Sequence, residues 1–260
     1  MIKISDAFEQ GKAFIPFITC GDPSLEVSEA LVCAMAEAGA DLIELGIPFS
    51  DPTAEGPVIQ DSTFRTLAKG VTTDKVLETV RRIRRRTDVP IVFMTYANVV
   101  FSYGVERFAS AAAEAGVQGL ILPDVPFEEK EEFEPACDKY GLDFISFIAP
   151  TSRDRTEMVA AEAKGFLYCI SSLGVTGVRP EIHTDVAAMV DRCKRVNPQI
   201  PCAVGFGISR PDQAAAMAAV SDGVIVGSAI VSLCEKYGED CVPHVAAYVK
   251  EMKDAIRNIK

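Results

Sequence analysis

Positive charge is scarce in this chain: 26 lysines and arginines stand against 37 aspartates and glutamates, leaving a net charge of −11. The shortage argues against nucleic acid or an anionic membrane as a partner, because both need a basic footprint. Any anionic ligand must therefore be gripped locally, by amide dipoles or by one or two placed cations. Histidine is scarcer still. His183 and His244 are the only two; they stand far apart without metal-site spacing, so no metal is expected. No apolar stretch reaches the roughly 18 residues that mark a membrane-spanning helix, and Met1 to Gln10 lack the basic-then-apolar order of a secretion signal. A cytoplasmic protein is expected. The eight cysteines include no C-x-x-C pair, and several lie within apolar runs, which reads as reduced core thiols. No Pro/Ser-rich stretch or break in composition divides the chain, so residues 1–260 are expected to form one domain.

Short apolar runs recur along the chain, each followed by a turn and a longer segment with helical spacing. They are Phe14 to Thr19, Leu42 to Leu45, Ile91 to Tyr96, Gly119 to Leu122, Phe144 to Ile148, Leu167 to Ile170, Cys202 to Gly205 and Gly223 to Val226. Uniformly apolar strands separated by helices imply parallel strands covered on both faces. Eight such units predict an α/β fold, a single (β/α)8 TIM barrel of eight parallel strands with an extra helix at the N-terminus; a doubly wound open sheet is the alternative. Ser24 and Thr73 are placed to cap the helices that reach Ala38 and about Arg86. Two connections, Gly46 to Pro57 and Ser171 to about Glu181, are long enough to build a lid or a binding surface.

Strand alternation places Leu42 and Glu44 on one face of the second run and Ile43 and Leu45 on the other. Glu44 then points into the barrel mouth, where desolvation raises its pKa. Either it is a buried glutamate paired with an arginine or a backbone donor, or it is a general acid/base whose raised pKa lets it both take and give a proton. Glu55 lies in a loop stiffened by Pro52, Gly56 and Pro57; taken alone it is an ordinary solvated glutamate, and Asp51-Pro52 is ordinary turn chemistry.

Glycines gather at the ends of the last three strands: Gly174 and Gly177, then Gly205 and Gly207, then Gly227 ahead of Ser228 and a helix. Each pair alone means a tight turn. Together they suit an anion held by backbone N–H groups and a helix dipole, where this fold often builds phosphate sites. Phe17, Tyr96, Tyr168 and Phe206 stand near the same mouth, as core or as the wall of a flat aromatic ligand. No strand ends in a lysine suited to imine chemistry.

These segments together resemble one family, the alpha subunit of tryptophan synthase. The resemblance runs from about Lys3 to Lys260. It rests on Phe14-Ile15-Pro16-Phe17-Ile18-Thr19-Cys20-Gly21-Asp22-Pro23, on Leu42-Ile43-Glu44-Leu45-Gly46-Ile47-Pro48-Phe49-Ser50-Asp51-Pro52, and on Tyr96-Ala97-Asn98, Asp124-Val125-Pro126, Gly174-Val175-Thr176-Gly177, Gly205-Phe206-Gly207-Ile208-Ser209 and Gly227-Ser228-Ala229-Ile230-Val231. It implies retro-aldol cleavage of indole-3-glycerol phosphate to indole and glyceraldehyde 3-phosphate, the alpha reaction of a lyase in tryptophan biosynthesis.

By the same resemblance Glu44 is the catalytic glutamate, taking the glycerol hydroxyl proton and delivering one to indole C3. Glu55 stands where much of the family has an aspartate that holds the indole N–H, and Tyr168 is the tyrosine beside the substrate. Gly177, Gly207, Gly227 and Ser228 match the phosphate cradle; Phe17, Tyr96 and Phe206 match the indole pocket, and Thr176 belongs to a closing loop. Asp51, Pro52 and Asn98 match surface that meets the beta subunit. That partner carries pyridoxal phosphate in an allosteric alpha2beta2 heterotetramer, and this chain is expected to hold no cofactor. Two rivals are a non-catalytic barrel that only regulates a beta-type subunit, and a ring-closing or isomerising phosphate barrel, which calls for a strand-end lysine or cysteine.

Overall fold

The computed structural model describes residues 3–152, 155–171, 185–205 and 207–259. Strands β1 (Ala13–Thr19), β2 (Ile43–Gly46), β3 (Ile91–Met94), β4 (Gly119–Ile121), β5 (Asp143–Phe144), β6 (Ser146–Ile148), β7 (Leu167–Ile170), β8 (Cys202–Gly205) and β9 (Gly223–Val226) form one parallel sheet. The helices are α1 (Leu25–Glu37), α2 (Pro57–Ala68), α3 (Thr73–Ile83), α4 (Ala97–Tyr103), α5 (Val105–Ala115), α6 (Glu134–Tyr140), α7 (Arg155–Glu162), α8 (Val186–Val196), α9 (Pro211–Ala218), α10 (Ser228–Tyr237) and α11 (Cys241–Ile256).

The sheet runs in the order β5-β4-β3-β2-β1-β9-β8-β7-β6. Its two ends, β5 and β6, are consecutive in the chain and separated only by Ile145, so the ring closes through the covalent backbone. Nine segments therefore stand where eight runs were expected, because the fifth run is shared: Phe144 pairs with Leu120 of β4, and Ser146 pairs with Leu167 of β7. The N–H of Ile145 itself donates to the Leu120 carbonyl at 2.9 Å. The architecture is the expected TIM barrel.

Period-two alternation sorts the strand residues into two layers. Ala13, Ile15, Phe17, Leu42, Val92, Met94, Ile121, Tyr168 and Ile225 form the barrel interior. Their strand neighbours, such as Phe14, Ile18, Ile43, Leu45, Phe93 and Val224, pack outward in a second core with the helices. The expected N-terminal helix is a single 3-10 turn, Ile4–Phe8, which plugs the floor of the barrel. Ile4 and Ala7 join the interior core, and Phe8 lies against Phe166 with ring centroids 5.9 Å apart.

Gly119 shows how tightly that floor is built. A Cβ there would stand 2.8 Å from Cδ1 of Ile4 and 2.9 Å from the carbonyl oxygen of Asp143. The second is backbone of a neighbouring strand and has little room to yield. Gly119→Ala is expected to destabilise the chain by about 1–3 kcal/mol, the usual cost of overpacking, read as a lower urea midpoint at unchanged slope. An unchanged midpoint would show that the plug can shift.

Local chemistry sets the helix ends. Ser24 caps α1 by accepting the Val27 N–H, and Thr72 rather than Thr73 caps α3 by accepting from Lys75. Strand β3 stops at Met94, two residues short of the expected Tyr96, because Tyr96 is already the N-cap residue of α4. All eight cysteines are buried and unbridged. Among the described residues, no helix is long and apolar enough to cross a membrane.

Candidate active site

Glu44 sits on β2 between Phe17 of β1 and Val92 of β3 in the strand register. It shares the inward face of Leu42, since Ile43 and Leu45 both belong to the outer layer. Its side chain is 1% exposed, and Oε1 has no hydrogen-bond partner among the described residues. Burial, and then the charge of Glu55, hold its pKa well above the usual carboxylate range. Among the described residues no cation acts in the opposite direction, so pairing with an arginine among them does not explain why this carboxyl is inside.

Glu55 is not the solvated loop residue that its position alone suggests: it is 4% exposed. The loop before α2 folds on itself, with the Thr53 N–H donating to the Asp51 carbonyl at 2.9 Å and the Glu55 N–H to the Pro52 carbonyl at 3.2 Å. Gln60, one turn into α2, donates its side-chain N–H to the Glu55 carbonyl at 2.8 Å. This turn lays the Glu55 side chain over the barrel mouth, near enough to act electrostatically on Glu44, Tyr96 and Tyr168.

Tyr168 projects inward from β7, its ring 4.8 Å from that of Phe147. Gly205 on the adjacent strand makes the room: a Cβ there would come within 2.7 Å of the phenol oxygen and Cε1. Burial first, then the carboxylates of Glu44 and Glu55, raise the phenol's pKa. Tyr168 therefore stays neutral across the physiological range.

Two strands along the sheet from both β2 and β7, α10 opens at Ser228 with Gly227 as its N-cap, directly after β9. The N–H groups of Ile230 and Val231 turn back to the Gly227 carbonyl, whereas the amides at the very start of a helix have no intrahelical acceptor and suit an anion. Gly207, with φ of +93°, adopts the left-handed region that favours glycine. Gly207, Gly227 and Ser228 line the same pocket as Phe17, Glu44, Glu55 and Tyr168. A neighbouring pocket shares Phe17, Glu55, Ile59 and Met94 with it and reaches Phe49 and Tyr96. A buried acid and a helix start whose free amides suit an anion thus line one pocket.

A family model described as the tryptophan synthase alpha chain matches residues 5–257. The chain belongs to that family. The alpha chain of Geobacter sulfurreducens is 49% identical over 249 residues, covering 95% of this chain and 94% of its own. That of Lacticaseibacillus casei is 45% identical over 256 residues, covering 98% and 96%. Among solved structures, the Legionella pneumophila tryptophan synthase alpha chain superposes with a TM-score of 0.87 at 36% identity, covering 100% of this chain and 99% of its own. A Mycobacterium tuberculosis tryptophan synthase structure does so with a TM-score of 0.88 at 35% identity, covering 98% and 96%.

Several residues expected from the alpha-chain resemblance sit differently from one another. Glu44, Glu55, Tyr168, Phe17, Gly207, Gly227 and Ser228 converge on the first pocket, and Tyr96 on the second. Thr176, Gly177 and Phe206 lie outside the described residues. Asp51 and Asn98 are exposed, as a partner-facing surface requires, but Pro52 is buried. The turn that carries Glu55 inward takes Pro52 with it, into the wall of the second pocket. Sequence reasoning passed over Ile59, Met94, Ile208 and Ile225, which also line the first pocket. Alternation from Val92 and Gly223 was signal enough to find Met94 and Ile225. Nothing local marks Ile59 or Ile208.

Proposed function

We propose that this chain carries out the alpha reaction of tryptophan synthase as one barrel domain, with Glu44 as its proton carrier. That reaction, cleavage of indole-3-glycerol phosphate, is the activity of the family, and the chain is accordingly a lyase of tryptophan biosynthesis. The family's alpha chain pairs with the beta subunit, to which the pyridoxal phosphate belongs. The site of action we infer is the cytoplasm. The observation that carries the assignment of Glu44 is its buried Oε1, unpartnered among the described residues, in the same pocket as the helix start at Gly227 and Ser228.

The substrate phosphate is held by backbone amides at Gly207, Gly227 and Ser228, with Gly177 completing the cradle. This anchor lies away from the scissile bond and supplies binding energy for orientation. The indole ring lies among Phe17, Tyr96 and Phe206, and Thr176 helps to close the site. Burial favours the neutral form of Glu44, which protonates indole C3. The carboxylate so formed takes the proton of the hydroxyl on the adjoining carbon. The carbon–carbon bond breaks, the aldehyde of glyceraldehyde 3-phosphate forms, and the bonding pair restores the indole ring. One proton has moved from hydroxyl to C3, and Glu44 ends as it began. Glu55 accepts the indole N–H and balances the positive ring between the two transfers, with the neutral phenol of Tyr168 beside it.

Indole release by the purified chain tests this function. Slow turnover is expected from the chain alone, and faster turnover once a beta subunit is added at the face that carries Asp51 and Asn98. No indole under either condition would overturn it.

A further inference from the structure

We propose that Tyr96 is a positioning residue for Glu55, anchoring the loop after β2 through its hydroxyl and so setting how closely the two carboxyl groups approach. This rests on the roles given above to Glu44 and Glu55. Tyr96 is itself firmly placed. It is buried at the N-cap of α4, where the next residue, Ala97, donates its N–H to both carboxylate oxygens of Asp124 at 3.1 Å. The Tyr96 carbonyl accepts the Val99 N–H at 3.0 Å, and its ring stacks on Phe49 with centroids 5.3 Å apart. From this fixed base the hydroxyl accepts the N–H of Ala54 at 3.1 Å, across 42 residues of sequence.

Ala54 is the residue before Glu55, so this bond fixes the peptide from which the carboxylate hangs. Thr53 and Glu55 donate within the turn, to the Asp51 and Pro52 carbonyls, and Gln60 of α2 donates to the Pro52 and Glu55 carbonyls. Tyr96 ties it also to the β3 side of the barrel, where Met94 borders both pockets. The consequence is geometric. A loop tethered only to α2 moves with α2, whereas one also tethered to Tyr96 keeps Glu55 in register with the strand ends that carry Glu44. The charge of Glu55 acts on Tyr96 as well as on Glu44, as this closeness requires.

Tyr96→Phe is the clean test, because it keeps the ring, its stacking on Phe49 and its wall of the pocket while deleting only the acceptor. Kinetics of Tyr96→Phe, Glu55→Gln and the double variant would be measured with the beta subunit present, alongside melting temperature. Expected for Tyr96→Phe is a fall in kcat of about tenfold, short of the roughly 100-fold that a 1 Å misplacement can cost, with KM and melting temperature little changed. The limb of the pH profile set by Glu44 should move to lower pH as Glu55 draws away. In the Glu55→Gln background the same change should have no further effect, since a residue that acts only through Glu55 is not additive with its loss. Full activity of Tyr96→Phe beside an impaired Glu55→Gln would overturn the positioning role alone, as would equal losses in both backgrounds. Full activity of Glu55→Gln would instead overturn the role of Glu55, and this inference with it.

Discussion

Glu44→Gln is expected to lower kcat by about 10³-fold or more, near the upper part of the range for a positioned acid/base, while glycerol phosphate binds within about twofold of wild type. The amide keeps the shape of the buried side chain and cannot carry a proton between hydroxyl and C3. The proposed phosphate cradle uses backbone groups at Gly207, Gly227 and Ser228, which line the same pocket, so the exchange should leave it untouched. The pH dependence has a definite sign. Burial raises the Glu44 pKa well above the ordinary value, and in the role proposed for Glu44 the neutral acid starts the reaction. Activity is therefore full below that pKa and lost as pH rises through it.

The same shift has a stability counterpart. The folded chain keeps a proton on Glu44 that the unfolded chain releases near the ordinary carboxylate pKa, about 4.3. Stability consequently falls as pH climbs from there toward the folded pKa. Relative to wild type, Glu44→Gln should gain stability with rising pH over that window, which urea titrations at several pH values would measure. Retained activity in Glu44→Gln would remove the proton-carrier role. A stability difference that did not change with pH would mean that Glu44 is charged in the resting enzyme.

For Glu55 the expected contrast is between charge and size. Glu55→Asn is expected to lower kcat/KM about 100-fold, and Glu55→Asp to stay within about fivefold of wild type. A positive indole ring next to a carboxylate in a partly desolvated pocket gains up to about 4 kcal/mol at 4 Å and an effective dielectric near 20; about 2.7 kcal/mol of that suffices for 100-fold. Asparagine forfeits the charge, whereas aspartate keeps it and withdraws it by one methylene. Removing the charge also removes one of the two causes that raise the Glu44 pKa. The high-pH limb should thus shift downward in Glu55→Asn but hardly in Glu55→Asp. Equal kcat/KM in all three forms would show that Glu55 has no part in the proton transfers.

The barrel and its catalytic face were legible in the chain because both are written in local periods. Apolar runs of strand length announced the parallel strands, and strict alternation turned Glu44 inward with Leu42. A glycine followed by serine ahead of a helical pattern announced the start of α10. Each of these is decided by neighbours within a few residues.

Other features have no such local code. Glu55 reads as a loop glutamate until the turn through Pro52 folds it, and Pro52 with it, over the mouth. Tyr96 reads as the end of a strand until Asp124, 28 positions along, receives the first N–H of the helix that Tyr96 caps. The fifth run reads as one strand, yet it bonds β4 with its first half and β7 with its second, because a closing ring needs both edges of the same segment. By itself the sequence determined which elements form and which way their side chains face, since backbone period and burial settle both locally. Only the tertiary structure decided how far apart the two carboxyl groups stand, because that distance depends on bonds such as Tyr96 to Ala54 that join residues the chain order keeps apart.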